Sequence, residues 1–270
     1  MPLRTHAAHL LPSVAVAVAL ALWAGGCSNV GSRDTTGSIN TASAAPASEA
    51  EWQRSLDTLG ARYRDNPGDT DVAIAYARAL RATGQRAQAV AVLERASIRN
   101  PRSKPLLGAY GRALAEAGQY QQALEALDRA HTPDNPDWQI LNVQGAVLDQ
   151  LGHHADAQRH YAAALKIVPD ESTVLSNLGL SYLLTKDLKN AELTLRRAAA
   201  QQNASPKVRQ NLALVVGLRG HFEEAEKIAS ADLPENEASA NISYLRQMLA
   251  RQRDWKKLGR AYVPAPDAGS

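Results

Sequence analysis

The sequence predicts an all-α protein built as a solenoid of repeated helix pairs. Five turn-like sites recur at a constant spacing of 34 residues, centred on positions 84, 118, 152, 186 and 220. Small residues recur in the same register, five residues after and seven residues before each centre. Repeats of about 20–50 residues indicate stacked units, each of which buries its apolar face only against a neighbour. We therefore expect about five repeats, preceded by a half-repeat and closed by a capping helix.

The N-terminus begins with a segment that is typical of an export signal. Residues 10–23 are almost wholly apolar, but this run is shorter than the roughly 20 residues that span a bilayer. Small residues at 24–26 then precede Cys27, which is the only cysteine of the chain. This order of small residues and cysteine resembles the lipobox of bacterial lipoproteins.

The resemblance to a lipobox implies that residues 1–27 are a lipoprotein signal peptide. It also implies that Cys27 receives a covalent lipid and becomes the new N-terminus. Ser28 stands where Asp would signal retention in the inner membrane, which implies an outer-membrane anchor facing the periplasm. The alternative is a signal-peptide cysteine that is cut away or left free. Apart from this lipid, no cofactor is expected.

A tether and a nearly neutral chain follow the signal. Residues 28–48 are rich in Ser, Thr, Ala and Gly, a composition typical of a flexible linker. Without residues 1–27 the chain keeps 29 of its 30 basic side chains against 27 acidic ones. No basic run with interleaved aromatic residues is present, so a nucleic-acid partner is not expected.

The solenoid is expected to span residues 49–253. Two helices can cross closely only where their side chains are small, and Gly suits a turn that needs a positive φ. The pattern resembles the tetratricopeptide repeat over residues 70–233, which implies two antiparallel helices in each repeat. The small residues expected at the crossings seven positions before each turn centre are Ala77, Gly111, Gly145, Gly179 and Ala213.

Both ends of the solenoid are expected to carry single helices. Residues 49–66 fit the register of a second helix one repeat earlier, and residues 236–251 form an amphipathic pattern after Pro234. Residues 254–270 are expected to form a C-terminal tail. The apolar stripes of the two helices consist of Trp52, Leu56, Leu59 and Tyr63 at the N-terminal end, and of Ala238, Ile242, Leu245 and Leu249 at the C-terminal end.

No motif of a known catalytic class is present in the sequence. The chain lacks a phosphate-binding loop, a Gly-x-Gly-x-x-Gly fingerprint and a Gly-x-Ser-x-Gly elbow. Asp156 and His160 have the i, i+4 spacing of helix-borne metal ligands, but one such pair does not fill a site. We therefore expect no enzyme activity, no metal and no small-molecule substrate. The alternative is an enzyme whose activity depends on His160.

A protein-binding groove is the candidate site. In the tetratricopeptide family, positions 2, 5, 9, 12 and 13 of the first helix of each repeat line the concave face. The resemblance thus implies a polar half with a basic bias and an apolar half. The alternatives are that the arginines pair with acidic neighbours and that the C-terminal helix covers the leucines. The candidate residues are Arg78, Arg81, Arg112 and Asn142 in the polar half, and Leu180, Leu183, Leu184, Leu214 and Leu218 in the apolar half.

The end of the chain is similar to that of the TadD family. Residues 241–249 (NISYLRQML) and 255–258 (WKKL) carry this resemblance. TadD proteins are tetratricopeptide lipoproteins of the tight-adherence (Flp) pilus assembly system. The resemblance implies a scaffold that gives pilotin-like help to the pilus secretin or to other Tad components. The alternative is a general envelope lipoprotein that docks peptidoglycan enzymes or proteases.

Overall fold

The computed structural model describes residues 49–261, with side chains over residues 51–251. Twelve α-helices and no strand lie in this part of the chain, as the sequence predicts. Cys27 and residues 28–48 lie outside the described residues. The helices are α1 (Glu49–Asp65), α2 (Thr70–Ala82), α3 (Arg86–Arg99), α4 (Lys104–Glu116), α5 (Tyr120–Asp128), α6 (Trp138–Gln150), α7 (His154–Ile167), α8 (Ser172–Leu184), α9 (Leu188–Ala199), α10 (Pro206–Leu218), α11 (Phe222–Ala229) and α12 (Glu235–Ala261).

Left-handed turns join the two helices of each repeat at the five predicted centres. Four of these turns place glycine at a positive φ between 77° and 92°. The fifth uses Lys186 at φ 64°, the one non-glycine residue with a positive φ among the described residues. An L-residue pays roughly 1–2 kcal/mol for this conformation, which explains the preference for glycine at the other four turns.

The small residues lie where the two helices of one repeat cross. We call the first helix of each repeat the A helix and the second the B helix. In the third repeat, a Cβ atom added to Gly145 would lie 2.6 Å from Cε1 of Tyr161 on the B helix. Gly111 and Gly179 would meet Leu127 and Leu195 at 2.5 Å and 2.6 Å. The predicted crossing positions are therefore confirmed.

Among the twelve helices of residues 49–261, contacts run only within a repeat or to the adjoining repeat. Each A helix packs against its own B helix, against the preceding B helix and against the neighbouring A helices. The apolar core accordingly runs along the stack: one cluster extends from Tyr63 on α1 to Val147 on α6, and smaller clusters continue it to Ala238 on α12. α1 is the predicted half-repeat: it occupies a B position and packs on α2 through Tyr63, whose ring centroid lies 5.6 Å from that of Tyr76.

α12 takes the place of a sixth A helix, but in a shifted register. The core position that Val208 fills in α10 is filled in α12 by Ala238, only 30 residues later. The repeat is four residues short because only residues 230–234 connect α11 to α12, whereas residues 129–137 connect the similarly short α5 to α6. Ala238, Ile242 and Leu245 are fully buried, as the apolar stripe predicts. The helix runs to Ala261 and so passes both the expected helix end at residue 251 and the expected start of the tail at residue 254.

Candidate protein-binding groove

The A helices from α2 to α10 pack side by side, and the tetratricopeptide pattern implies that one side of this row lines a concave groove. We call it the A-helix groove and define it by positions 2, 5, 9, 12 and 13 of these helices. Position 1 is the first residue of each A helix, from Thr70 in α2 to Pro206 in α10, and the numbering continues through the B helix to position 34. Since each A helix packs against the next, equivalent positions form rows across the repeats. The polarity and charge of the side chains in each row decide what the groove can bind.

The arginines of the polar half have different environments. The Arg78 guanidinium lies over the ring of Trp52 on α1, with 5.8 Å between Cζ and the ring centroid. Arg81 forms a bidentate pair with Glu116 of the next repeat, in which Nε donates to Oε2 at 2.6 Å. Both partners of that pair are largely buried. Arg81 therefore ties α2 to α4, which agrees with the alternative of acidic pairing.

Arg112 lines a cavity of about 350 Å³ at the centre of the polar half. The side chain is buried, with 5% of its surface exposed. The loop after α5 contributes His131 and Asn135 to the wall, and Lys104 comes from the start of α4. The sequence did not indicate this loop as part of the groove, because it lies outside the repeated positions.

Asn142 belongs to a ladder of polar contacts between neighbouring A helices. Its buried Oδ1 accepts a hydrogen bond of 2.9 Å from Nδ2 of Asn177. One repeat later, Asn211 donates to Ser176 Oγ at 3.1 Å. Because both acceptors hold a partner from the next repeat, these residues join repeats to one another within the groove floor.

The five leucines of the apolar half divide into two buried and three half-buried side chains. Leu183 and Leu214 have 8% and 7% of their surface exposed. Leu180, Leu184 and Leu218 keep a larger accessible surface. They form an apolar row along the A-helix groove on α8 and α10.

The C-terminal helix caps the stack and leaves the leucines of α8 accessible. Leu245 packs on Gly217, where an added Cβ would lie 2.6 Å from its Cδ2. Within residues 49–261, α12 contacts α10 and α11 and no other helix. In the shifted register, Tyr244 and Met248 occupy positions 9 and 13 and extend the apolar row. The 34-residue period does not identify these two residues. The last repeat is four residues short, so the groove positions of α12 fall four residues earlier than the period predicts.

Comparison with known proteins identifies the repeat. The tetratricopeptide repeat family model matches residues 68–137 and 143–206. The protein is a tetratricopeptide-repeat protein. No curated protein sequence matches the chain.

Two solved tetratricopeptide-like structures share the fold. The first is a chain of the APC/C hetero-tetramer Cut9-Hcn1, with a TM-score of 0.62 and 14% identity over 75% of this chain. This protein spans 40% of the length of that chain. The second is PilW, described as a widely conserved type IV pilus biogenesis factor. Its TM-score is 0.63, with 14% identity over 72% of this chain and 91% of PilW.

The polar cluster around Asp149 has a structural role in this tetratricopeptide-repeat protein. The Asp149 carboxylate accepts hydrogen bonds from Tyr161 at 3.1 Å and from Ser181 at 2.8 Å, and it faces Nδ1 of His154 at 2.9 Å. Burial, and secondarily the charge of Asp149, raises the pKa of Tyr161. Ser181 donates to the carboxylate and not to the histidine, so these contacts do not form a Ser–His pair. It joins α6, α7 and α8.

The described part of the chain offers no group of three or more His, Cys, Asp or Glu side chains that could hold a metal ion. His160 points back to its own helix, with Nδ1 3.0 Å from the carbonyl oxygen of Asp156.

Among the helices of residues 49–261, none is both long and apolar enough to cross a membrane. Tetratricopeptide-repeat proteins are typically scaffolds that bind other proteins, and the A-helix groove is the surface suited to that role.

Proposed function

We propose that the chain is an outer-membrane-anchored periplasmic scaffold that supports assembly of a Tad (Flp) pilus through pilotin-like help to the secretin. The observation that carries the scaffold role is the A-helix groove, whose apolar half stays accessible beside α12. The pilus role rests on the resemblance of residues 241–258 to the TadD family. The anchor rests on the lipobox-like sequence that ends at Cys27.

The membrane anchor has a direct test in Cys27. Lipid chains contribute about 0.8 kcal/mol per buried methylene, and stable anchoring needs more than one chain. We expect Cys27→Ser to leave the precursor uncleaved or mislocalised and to abolish palmitate labelling. Membrane fractionation and metabolic labelling measure both effects. Recovery of the variant in the outer membrane at the level of the unaltered chain would exclude the lipid anchor.

An amphipathic helix of the partner is the ligand best suited to the apolar half. Leu180 and Leu184 lie one turn apart on α8, and Leu218 continues the row on α10. A partner helix with apolar residues at i, i+3 or i+4, and i+7 presents a matching stripe. Fully burying an exposed leucine contributes about 1.5–3 kcal/mol, and the half-buried Leu180, Leu184 and Leu218 would gain the remaining part of this when a partner helix covers them.

Leu184→Asp tests the groove and its partner together. We expect the variant to fold and localise normally, to bind the secretin about tenfold more weakly or worse, and to fail in pilus assembly. Leu193→Asp is the matched control, because Leu193 is 67% exposed on a B helix and outside the groove. Circular dichroism melting checks that both variants remain folded.

The outcome of the same experiment separates the alternatives. Loss of secretin binding in Leu184→Asp alone supports the pilus role. Capture of peptidoglycan enzymes or proteases in place of the secretin would favour the general envelope scaffold. Unchanged stability, binding and piliation in Leu184→Asp would show that the apolar half is not the binding surface.

A further inference from the structure

The two ends of the solenoid are complementary halves of one repeat. In the interior, each A helix fills a slot between its own B helix and the next A helix. α8 shows this arrangement: Gly179 packs against Leu195 of α9, and Ser176 is bonded to Asn211 of α10. Within residues 49–261, α1 is a B helix without an A helix of its own, and α12 is an A helix without a following B helix.

An open slot lies beside α1 where such an A helix would fit. A cavity of about 320 Å³ runs between Trp52, Ser55 and Leu59 of α1 and the side of α2 that carries Ile74 and Ala75. Ser55 and Leu59 stand at positions 20 and 24 of the repeat. In the interior repeats these positions hold Ala and mostly Leu, and they receive the small residue of the A helix. The slot therefore presents a small residue and a leucine, as most B helices do where they cross their A helix.

The free side of α12 carries the matching residue. In its shifted register, position 8 is Ser243, which is exposed. The equivalent residues of the other A helices are Ala or Gly and are buried at the crossing. Ser243 therefore preserves the small side chain of a crossing position although no B helix of the described chain covers it.

We propose that the protein associates head to tail with itself, with α12 of one copy entering the slot beside α1 of the next copy. The junction then completes one repeat, formed by α12 and α1 from two chains. Because the two surfaces differ and lie at opposite ends of the stack, each copy can continue the row, which gives linear assemblies. This contact covers the α2 end of the A-helix groove, where Ile74 and Arg78 line the slot, but it leaves the apolar half on α8 and α10 accessible and is independent of the proposed pilus role.

The chain's own upstream residues are less suitable for the slot. Counting back one repeat places the missing A helix at residues 36–48. Pro46 would then stand at position 11, inside the helix, where its ring removes an N–H group and clashes with the preceding turn. α12, by contrast, is already folded as an A helix up to and beyond this position.

The register also brings polar residues together at one end of the junction. In the interior, position 27 contacts positions 1 and 4, as in Ser172 with Ala198 and Arg209 with Asp232. By the same register, Arg62 of α1, at position 27, meets Asn236 and Ser239 of α12, at positions 1 and 4. Arg62 and Asn236 are both exposed in the single chain.

Site-specific cross-linking tests the register of this junction. We introduce Ser55→Cys and Ser243→Cys separately into the full-length Cys27→Ser chain, so that each introduced cysteine is the only thiol. Positions 8 and 20 are in contact in the interior repeats, which brings the two thiols within disulfide reach. We expect a cross-linked dimer under mild oxidation only when the two variants are mixed. Asp57→Cys, on the far side of α1, replaces Ser55→Cys as the control and is expected to give none.

Complementing interface variants distinguish head-to-tail contact from other modes of association. We expect Leu59→Asp and Ser243→Trp each to lose the higher oligomers in sedimentation velocity, because each blocks one end. Their mixture should form dimers and nothing larger, since one intact head and one intact tail remain. Ser243 is exposed, so Ser243→Trp keeps the monomer folded.

Other results overturn the proposal. A monomeric unaltered chain at all concentrations, together with no mixed cross-link, would mean that residues 28–48 or another protein fill the slot. Cross-linking of Ser55→Cys with itself would indicate a symmetric contact between two α1 helices. Failure of these tests would not affect the groove, because Leu184→Asp is read out on a different surface.

Discussion

At the scale of single residues, the crossing positions determine how closely the helices pack. A glycine at position 8 allows a large residue at position 24, as with Gly145 and Tyr161. Where position 8 is alanine, the partner is Leu93 or Ala229, so no Ala–Tyr pair occurs at these crossings. Small changes in volume at a close contact are costly because the core is densely packed. The pair at positions 8 and 24 therefore acts as one unit.

Gly145→Ala tests this unit. The new Cβ would lie 2.6–2.9 Å from three ring atoms of Tyr161, so we expect a loss of about 1–3 kcal/mol in the free energy of unfolding. Urea denaturation measures it. Tyr161→Leu in the same chain recreates the Ala77–Leu93 pair of the first repeat, and the double variant should recover part of the loss.

Gly60→Ala is the matched control for Gly145→Ala. Its Cβ would lie 3.4 Å from the Tyr76 ring, an ordinary contact. Replacing glycine by alanine within a helix otherwise stabilises by about 0.5–1 kcal/mol. Equal effects at the two glycines would show that the crossing is looser than the structure indicates.

At the scale of helices, the sequence predicted the repeats and the N-terminal half-repeat well and the C-terminal end less well. The turns, crossings and helix pairs follow from a period of 34 because each depends on one residue type at one position. The four-residue shift of α12 depends on the short connection after α11, residues 230–234, and no single residue marks that change in the pattern. The pairing of Arg81 with Glu116 likewise joins two repeats, and a repeat pattern read along one helix does not show which residues face each other across the stack.

Glu192 connects three helices through charge. Its buried carboxylate accepts from Arg196 on α9 at 2.6 Å and pairs with Arg219 at the end of α10, and Arg196 also reaches Glu224 of α11 at 2.8 Å. Burial alone would raise the pKa of Glu192, but the hydrogen bonds and charges of the two arginines outweigh it and lower the pKa below its ordinary value. The charged form therefore stabilises this part of the fold.

The pH dependence of stability follows from that lowered pKa. The contribution of Glu192 is fully present above the pKa of the unfolded chain and is lost as the pH falls through the lower pKa of the folded state. We expect the stability difference between the unaltered chain and Glu192→Gln to shrink from about pH 7 to about pH 3 in urea titrations. Arg219→Gln, which removes one partner, should give a weaker dependence on pH. A difference that stays constant over this range would exclude the proposed role of the charge.

At the scale of the whole molecule, the restriction of contacts to adjoining repeats governs how the solenoid unfolds. Each repeat is stabilised by its own crossing and by the interfaces to its two neighbours. The last repeat has only α12 beyond it, so α12 serves both as a cap and as the last interface. The same helix presents Tyr244 to the groove and Ser243 to the proposed junction. The packing of α12 on α10 and α11 therefore affects both surfaces.

Ile242→Ala tests whether the stack unfolds locally from this end. Ile242 is 2% exposed between α10 and α11, and truncating such a side chain costs about 2–5 kcal/mol. Because the contacts are local, we expect faster hydrogen exchange in α10, α11 and α12, with little change in α2 to α5. Leu178→Ala, at the equivalent position of α8, is the comparison and should raise exchange on both sides of the fourth repeat. A uniform loss of protection in Ile242→Ala would mean instead that the twelve helices unfold as one cooperative unit.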